Sequence, residues 1–140
     1  MAFITQEDYI QVGGDALTIL QQNSAEKRAL AERRALARIA DALRGRYDID
    51  STFAAEGEDR DEVLVGYAID MALYYLVGAM PGKMGLEVRR ERYKEALEYL
   101  RDIQDGKVMP DIPTITGPNG EEDYHNPIRY GSMKKNNYDW

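Results

Sequence analysis

The segment 63–80 limits the possible folds more than any other part of the sequence. It is almost entirely apolar and carries a single charge, at Asp70. The Pro-Gly pair that follows it predicts the end of a helix. A helix that is apolar nearly all round must be buried on most sides, and Gly66 and Gly78 would let other helices approach it closely. Its length is at the lower edge for crossing a membrane, but Asp70 and three tyrosines favour the centre of a helical bundle instead.

Other helices are predicted around this segment from capping residues and apolar periodicity. A short helix follows Thr5, since Thr5 and Asp8 have the spacing of a capping box, and Asp15 can cap a second short turn. Two long amphipathic helices are predicted over residues 24–47 and 86–104, because apolar residues recur there at three- and four-residue steps. These helices would provide the apolar faces that cover the central one.

The resulting prediction is an all-α protein, a small four-helix bundle over residues 1–106 followed by a long extended C-terminal arm over 107–140 that has room for a short β element. Residues 47–57 are predicted to be a loop, and Asp59 is predicted to cap the helix that contains 63–80. The core is expected to consist of Leu30, Leu36, Ile39, Leu43, Val63, Ile69, Leu73, Leu76, Leu97 and Leu100.

The C-terminal arm contains four of the five prolines and has no helical period, yet it keeps many large apolar side chains. Because an extended chain cannot bury these on itself in helical form, the arm either docks on another protein or folds back on its own bundle. The residues expected to make that contact are Val108, Ile112, Ile115, Tyr124, Ile128, Tyr130, Met133, Tyr138 and Trp140.

Charge is distributed in blocks along the chain. Residues 24–47 carry seven basic and three acidic groups, whereas residues 48–62 carry one basic and seven acidic groups, and the whole chain has a net charge of −7. Such blocks are typical of proteins that pack against copies of themselves or charged neighbours, and also of solvated helix faces. The negative total disfavours non-specific DNA binding, which requires an excess of Lys and Arg.

The sequence offers little for catalysis. Zero cysteines exclude disulfides and thiolate metal sites, and the single histidine, His125, makes a His-centred triad improbable. Residues 78–83 lack the spacing of a phosphate-binding loop, and the acidic run 56–62 does not fit a calcium-binding loop. We therefore expect a protein that is not an enzyme and that has neither a cofactor nor a metal. We also expect it to be made in the cytoplasm without a signal peptide.

Three stretches together resemble the small head–tail connector proteins of tailed bacteriophages, also called adaptor, neck or head-completion proteins, particularly the Mu-like prophage family. These stretches are Phe3-Ile-Thr-Gln-Glu-Asp8, Ile39-Ala-Asp-Ala-Leu-Arg-Gly-Arg-Tyr47, and residues 92–108 with their Gly-Lys-Val exit. The resemblance covers roughly residues 3–112. It implies a helical bundle that assembles beneath the portal protein as a ring, commonly of twelve subunits. The ring would extend the DNA channel and offer a surface to a tail-side neck or tail-completion protein.

The resemblance also implies roles for charged residues and a place in the virion neck. Arg33, Arg34 and Arg38 would pair with acidic groups of a neighbouring subunit, and the arm would dock on the portal or on adjacent subunits. Double-stranded DNA would pass without specific binding. An acidic loop would face the channel and repel phosphate, and its residues are Glu56, Glu58, Asp59 and Asp61. The alternative reading is a helical DNA-binding module, such as a small terminase-like or regulatory protein, that uses the basic helix 24–47.

Overall fold

The computed structural model describes residues 3–80 and 85–115, and over these residues the fold is all-α, as predicted. A single 3₁₀ turn, Gly57–Asp59, lies between the fourth and fifth helices. The six helices are α1 (Gln6–Val12), α2 (Gly14–Gln21), α3 (Ala25–Leu43), α4 (Ile49–Ala54), α5 (Glu62–Gly78) and α6 (Leu86–Gln104).

Helix α5 is the centre of the molecule, as its apolar sequence predicts. It packs against α3 and α6 along their lengths, and α1 and α2 also contact it. Tyr67 stacks on Tyr99 and Tyr74 stacks on Tyr93, so α5 runs antiparallel to α6. Arg46, which follows α3, donates to the Ile103 carbonyl near the end of α6, so the C-terminal ends of α3 and α6 lie together and α5 runs antiparallel to α3 as well. The prediction that Gly66 and Gly78 permit close helix approach is wrong, because a Cβ atom at either position would meet no atom within 4 Å.

Capping residues place most helix starts as the sequence predicts. Thr5 and Asp8 form the capping box of α1, and the Ser24 hydroxyl caps α3 by accepting a hydrogen bond from the Lys27 amide at 3.2 Å. The cap of α5 is Asp61, which accepts from the Leu64 amide at 2.9 Å, and not Asp59 as predicted. Asp59 instead ends the 3₁₀ turn that precedes α5.

The predicted loop 47–57 contains a helix, α4, and this part of the prediction is wrong. Asp48 caps α4 by accepting a hydrogen bond from the Ser51 amide at 3.1 Å. Ile49 and Thr52, three residues apart, are both buried. Six residues are too few for a clear helical period, so only the cap and this pair signal the helix in the sequence.

Two of the ten predicted core residues lie on the surface: Leu30 is 47% exposed and Val63 is 50% exposed. In α3, the small side chains of Ala31 and Ala35 face the core beside Ile39, so the buried face of the helix does not include Leu30. Val63 lies in the first turn of α5, before the helix enters the bundle. The other eight are buried or pack half-buried against the core: Leu36, Ile39, Leu43, Ile69, Leu73, Leu76, Leu97 and Leu100.

A nearly buried ion pair ties the N-terminus to the start of α5. The Arg60 guanidinium donates to both carboxylate oxygens of Asp8 and, at 2.8 Å, to the Phe3 carbonyl. Burial raises the pKa of the Asp8 carboxyl, but hydrogen bonds from Arg60 and Thr5 outweigh it, so this pKa lies below its ordinary value. The pair therefore stabilises the folded chain through the charged form of Asp8.

A second buried arginine, Arg89 in the first turn of α6, connects α6 to α2. Only 2% of its side chain is exposed, and it donates to the Asp15 carboxylate at 2.7 Å. Asp15 thus pairs with Arg89 and does not cap a turn, because α2 already begins at Gly14. Asp70 of α5 lies 4.0 Å from the same guanidinium. Burial raises the pKa of the Asp70 carboxyl, and the charges of Arg92 and Arg89 offset this only in part.

We expect Asp8→Asn to lower the free energy of unfolding at pH 7 by about 2 kcal/mol, because a charge-assisted hydrogen-bond pair is lost. A carboxyl whose folded pKa is lowered stabilises the fold above its ordinary pKa of 3.8. That contribution is lost as pH falls from there through the folded value. Urea unfolding of both proteins from pH 7 to pH 3 measures this. A difference between them that does not shrink below pH 4 would contradict the assignment.

We expect Asp15→Ala to lower the free energy of unfolding by roughly 2 kcal/mol, because it removes the hydrogen-bonded partner of a buried guanidinium. The matched control is Asp41→Ala, which removes an ion pair with Arg44 in which both side chains are more than two-thirds exposed. The control should change stability by less than about 0.5 kcal/mol. Equal effects of the two substitutions in urea unfolding would show that Arg89 does not depend on Asp15.

Candidate interaction surfaces

The first nine residues of the predicted arm, 107–115, fold back onto the bundle. Gly106 has a φ of +79°, a left-handed conformation that glycine adopts without strain and that turns the chain at the end of α6. The Asp48 amide then donates to the Pro113 carbonyl at 2.9 Å, and the Ile115 amide donates to the Arg46 carbonyl at 3.1 Å. These two bonds form an antiparallel β-bridge between residues 47 and 114. We call this contact, made by residues 46–48 and 113–115, the arm anchor.

The structure describes three of the residues that are predicted to make the arm contact. Val108 and Ile112 are half-buried and pack against the core, and Ile115 is half-buried beside the arm anchor. The remaining predicted contacts lie outside the described residues, and they are Tyr124, Ile128, Tyr130, Met133, Tyr138 and Trp140. Tyr47, the residue at the centre of the anchor, is only 3% exposed, so the segment is fixed against a buried side chain.

A basic surface follows one side of α3. Arg33, Arg34 and Arg38 are all exposed, and Leu30 lies on the same side one turn earlier. The acidic residue within this stretch, Glu32, is half-buried and accepts a hydrogen bond from the Tyr9 hydroxyl at 2.7 Å. We call Leu30, Arg33, Arg34 and Arg38 the arginine face.

A group of tyrosines supports the arginine face from below. The Arg34 guanidinium lies 5.2 Å from the centroid of the Tyr75 ring, a cation–π distance. The Tyr75 ring packs on Tyr93 of α6, which stacks on Tyr74 with 4.3 Å between centroids. Burial and the hydrogen bond with Tyr93 raise the pKa of Tyr75 to about 12, so its ring stays neutral beneath the arginine. From the sequence, Tyr74 and Tyr75 are predicted only as polar groups in an apolar helix, and their stacking with Tyr93 becomes visible only in the fold.

An acidic surface lies at the other end of α5. Glu56, Glu58 and Asp59 are exposed, and Asp61 is half-buried as the cap of α5. Beside them is an open cavity of about 410 Å³ whose walls include four carboxylates. We call it the acidic recess and define it by Asp59, Asp61, Glu62 and Asp111.

The fold builds this recess from two distant parts of the sequence. Asp111 belongs to the folded-back segment 107–115, and sequence reasoning missed it because nothing local indicates that this segment returns to the bundle. Arg60 also lines the recess, but its guanidinium is directed to Asp8, so its charge is already compensated. The recess therefore presents an excess of negative charge to solvent.

The structure also bears on metal binding and membrane crossing. Among residues 3–80 and 85–115, no group of three His, Cys, Asp or Glu side chains is arranged to hold a metal ion. No helix in these two ranges is long and apolar enough to cross a bilayer. Helix α5 is instead buried within the bundle, as predicted.

Comparison with known proteins identifies the family. The model of the family described as "Bacteriophage Mu, Gp36" matches residues 3–125, which is most of the chain. The chain belongs to the bacteriophage Mu Gp36 family. The predicted resemblance to a Mu-like phage protein is thereby confirmed, whereas the connector role goes beyond what the family description states. No curated protein and no solved structure matches the chain.

The Gp36 family match covers every element described above. It includes all six helices, the arm anchor, the arginine face and the acidic recess. It also extends ten residues past Ile115, into the part of the arm that lies outside the described residues. The folded-back segment therefore lies within the region that the family model matches.

We expect Ile115→Pro to loosen the arm anchor, because proline lacks the amide that donates to the Arg46 carbonyl. Losing one amide hydrogen bond costs about 1 kcal/mol, so the Asp48 amide should exchange with deuterium roughly five-fold faster. Exchange within α5 should not change. The control is Thr114→Ala, which keeps both backbone bonds. Equal exchange at Asp48 in the two variants would show that this bond does not hold the segment.

Proposed function

We propose that this Gp36 family protein is a non-enzymatic structural protein of the virion, located in the neck between capsid and tail. In this proposal it forms a ring beneath the portal, joins the capsid to the tail and extends the channel through which DNA passes. The observation that carries the proposal is the arm anchor, in a chain that belongs to a phage Mu family. The three sequence stretches that resemble head–tail connectors also support it.

The anchor fixes the point at which the arm leaves the bundle, beside the ends of α3 and α6. The Arg46 guanidinium donates to the Ile103 carbonyl at 3.3 Å and so holds these two ends together. Twenty-five residues follow Ile115, and at about 3.3 Å per residue such a length can reach roughly 80 Å when extended. A fixed starting point lowers the entropic cost of docking the rest of the arm on a partner.

The composition of these last residues suits docking on a protein. They include Tyr124, Tyr130, Tyr138 and Trp140, and tyrosine and tryptophan are the residue types that dominate binding energy at protein interfaces. We propose that they bind the portal protein or an adjacent subunit, and that the opposite side of the ring meets a tail-side neck protein.

The charge of the chain is consistent with a channel that DNA traverses without binding. Each subunit has a net charge of −7. In the proposed ring of twelve subunits this charge would repel phosphate over about a Debye length of 10 Å. Glu56 and Glu58 are exposed and fit the channel-facing role expected for the acidic loop.

One observation favours a second candidate function, a helical DNA-binding module. The arginine face presents three exposed guanidinium groups on one helix, and guanidinium groups bind phosphate well. A module of this kind would bind DNA with an affinity that falls steeply as salt is raised. The net charge of the chain opposes this reading, and the resemblance to connectors does not support it.

Electron microscopy of assembled portal rings tests the connector proposal. The portal of the phage that encodes this protein is mixed with the full-length chain, with residues 1–115, or with residues 1–106. The 1–115 form keeps the arm anchor and is the matched control for folding. We expect added ring density beneath the portal with the full-length chain and weak or no density with both shorter forms.

Portal binding by 1–115 that equals full-length binding would refute the role given to the arm. If none of the three forms adds density to the portal, and the chain instead binds DNA tightly and in a salt-sensitive way, the DNA-binding module would be favoured. Loss of binding by 1–106 alone would show that the anchored segment 107–115 suffices and that the last twenty-five residues are dispensable.

A further inference from the structure

We propose that copies of this protein associate head to tail, with the arginine face of one copy seated on the acidic recess of the next. This inference rests on the ring proposed above and specifies the contact that builds it. The two surfaces have opposite charge and belong to the same chain. An exposed apolar residue accompanies each of them: Leu30 lies within the arginine face, and Val63 directly follows Glu62 of the recess.

The arginine face is suited to donate to carboxylates. Between Lys27 and Arg38 every exposed charge on α3 is basic, because Glu32 is turned toward Tyr9. Arg34 is held in place over Tyr75, so less side-chain freedom is lost when it meets a partner. Guanidinium groups bind carboxylates through paired hydrogen bonds, which favours arginine over lysine in such contacts.

The acidic recess is suited to receive those groups. Its carboxylates come from three elements: Asp59 from the 3₁₀ turn, Glu62 from α5 and Asp111 from the folded-back segment. Its volume of about 410 Å³ makes it a concave surface into which long side chains can extend. A surface of this charge repels nucleic acid. The arginine-rich face of a second copy has the opposite charge, so it complements the recess.

Apolar contact accompanies the charge at both surfaces. Leu30 is exposed within the arginine face, and Val63 is exposed next to Glu62 of the recess. Exposed apolar side chains that lie beside complementary charges are expected at interfaces, because the charges set the orientation and the apolar contact adds affinity. The proposed contact would cover these two residues, which the fold of the single chain leaves exposed.

The two surfaces lie at different ends of the molecule. The arginine face contacts α5 near its C-terminal end, through Tyr75, whereas the recess surrounds its N-terminal end. One copy therefore meets two neighbours through two different surfaces. Such a heterologous contact generates closed rings or open filaments, and not isolated two-fold dimers. The inference thus places Asp59 and Asp61 between copies, and not in the channel as the sequence resemblance implies.

Charge reversal in the full-length chain tests the pairing. The face-reversed variant is Arg33→Glu with Arg38→Glu, and the recess-reversed variant is Asp59→Lys with Asp111→Lys. Neither touches Arg34 over Tyr75 or the α5 cap, Asp61. The controls make the same changes in net charge on exposed positions of α6: Arg90→Glu with Lys94→Glu, and Glu87→Lys with Glu91→Lys.

Sedimentation velocity over a range of protein concentrations, at about 0.1 M salt, measures self-association. We expect each reversed variant to associate roughly ten-fold or more weakly than the original chain, because like charges face each other across the contact. Both controls should associate as the original chain does. An equal mixture of the two reversed variants should regain association, since every junction between the two different variants again joins opposite charges.

Cross-linking supplies a second measurement, which does not depend on affinity. Because the chain contains no cysteine, single cysteines can be placed by Ala37→Cys, beside the arginine face, and by Ser51→Cys, which lines the recess. We expect a short bismaleimide to join the two variants when they are mixed, and to join neither variant to itself.

Three results would overturn the pairing: a wild-type chain that does not self-associate together with cysteine variants that do not cross-link when mixed, reversed variants that associate as the controls do, or a mixture of the reversed variants that shows no rescue. Electron microscopy of the same variants on portal rings separates this outcome from failure of the connector role. If the reversed variants still give full ring density on the portal, the connector role would stand and the proposed contact between copies would be rejected. Loss of density with the wild-type chain would reject the connector itself.

Discussion

Burial of α5 is the constraint on which the rest of the structure depends. The helix offers no polar side to water, so other helices must cover it from several directions, and α3, α6, α1 and α2 do so. Covering it fixes the directions of α3 and α6, and therefore which of their residues face outward. The arginine face and the half-buried tyrosines beneath it are the consequence for α3.

Two buried arginines then attach the smaller elements to this centre. Arg60 binds Asp8 and the Phe3 carbonyl, and Arg89 binds Asp15. Each joins residues more than fifty positions apart in the chain, and each requires its carboxylate partner, because an unpaired guanidinium in these places would be costly. Charge therefore adds to the apolar packing of Tyr9, Ile19 and Leu20 in positioning α1 and α2, whereas the long helices are positioned by apolar packing.

The sequence predicts those features of the fold that depend on neighbouring residues. The caps at Thr5 and Ser24, the long helices and the burial of α5 follow from local spacing. The partner of Asp15, the return of Asp111 to the bundle and the exposure of Leu30 depend on contacts between distant segments, and no local pattern encodes them. The candidate surfaces divide in the same way: the arginines are visible in the sequence, but the recess that complements them exists only once the chain is folded.

The arm anchor has a mechanical consequence. Tension applied to the chain beyond Ile115 does not act first on the end of α6, because the bonds at residues 46–48 lie between the two. The load passes instead to the backbone that follows α3, and from there through Arg46 to the Ile103 carbonyl. Both parallel helices then share the pull at their C-terminal ends. The segment between Gly106 and Pro113, whose Val108 and Ile112 side chains pack against the core, is pulled out only after the bridge has broken.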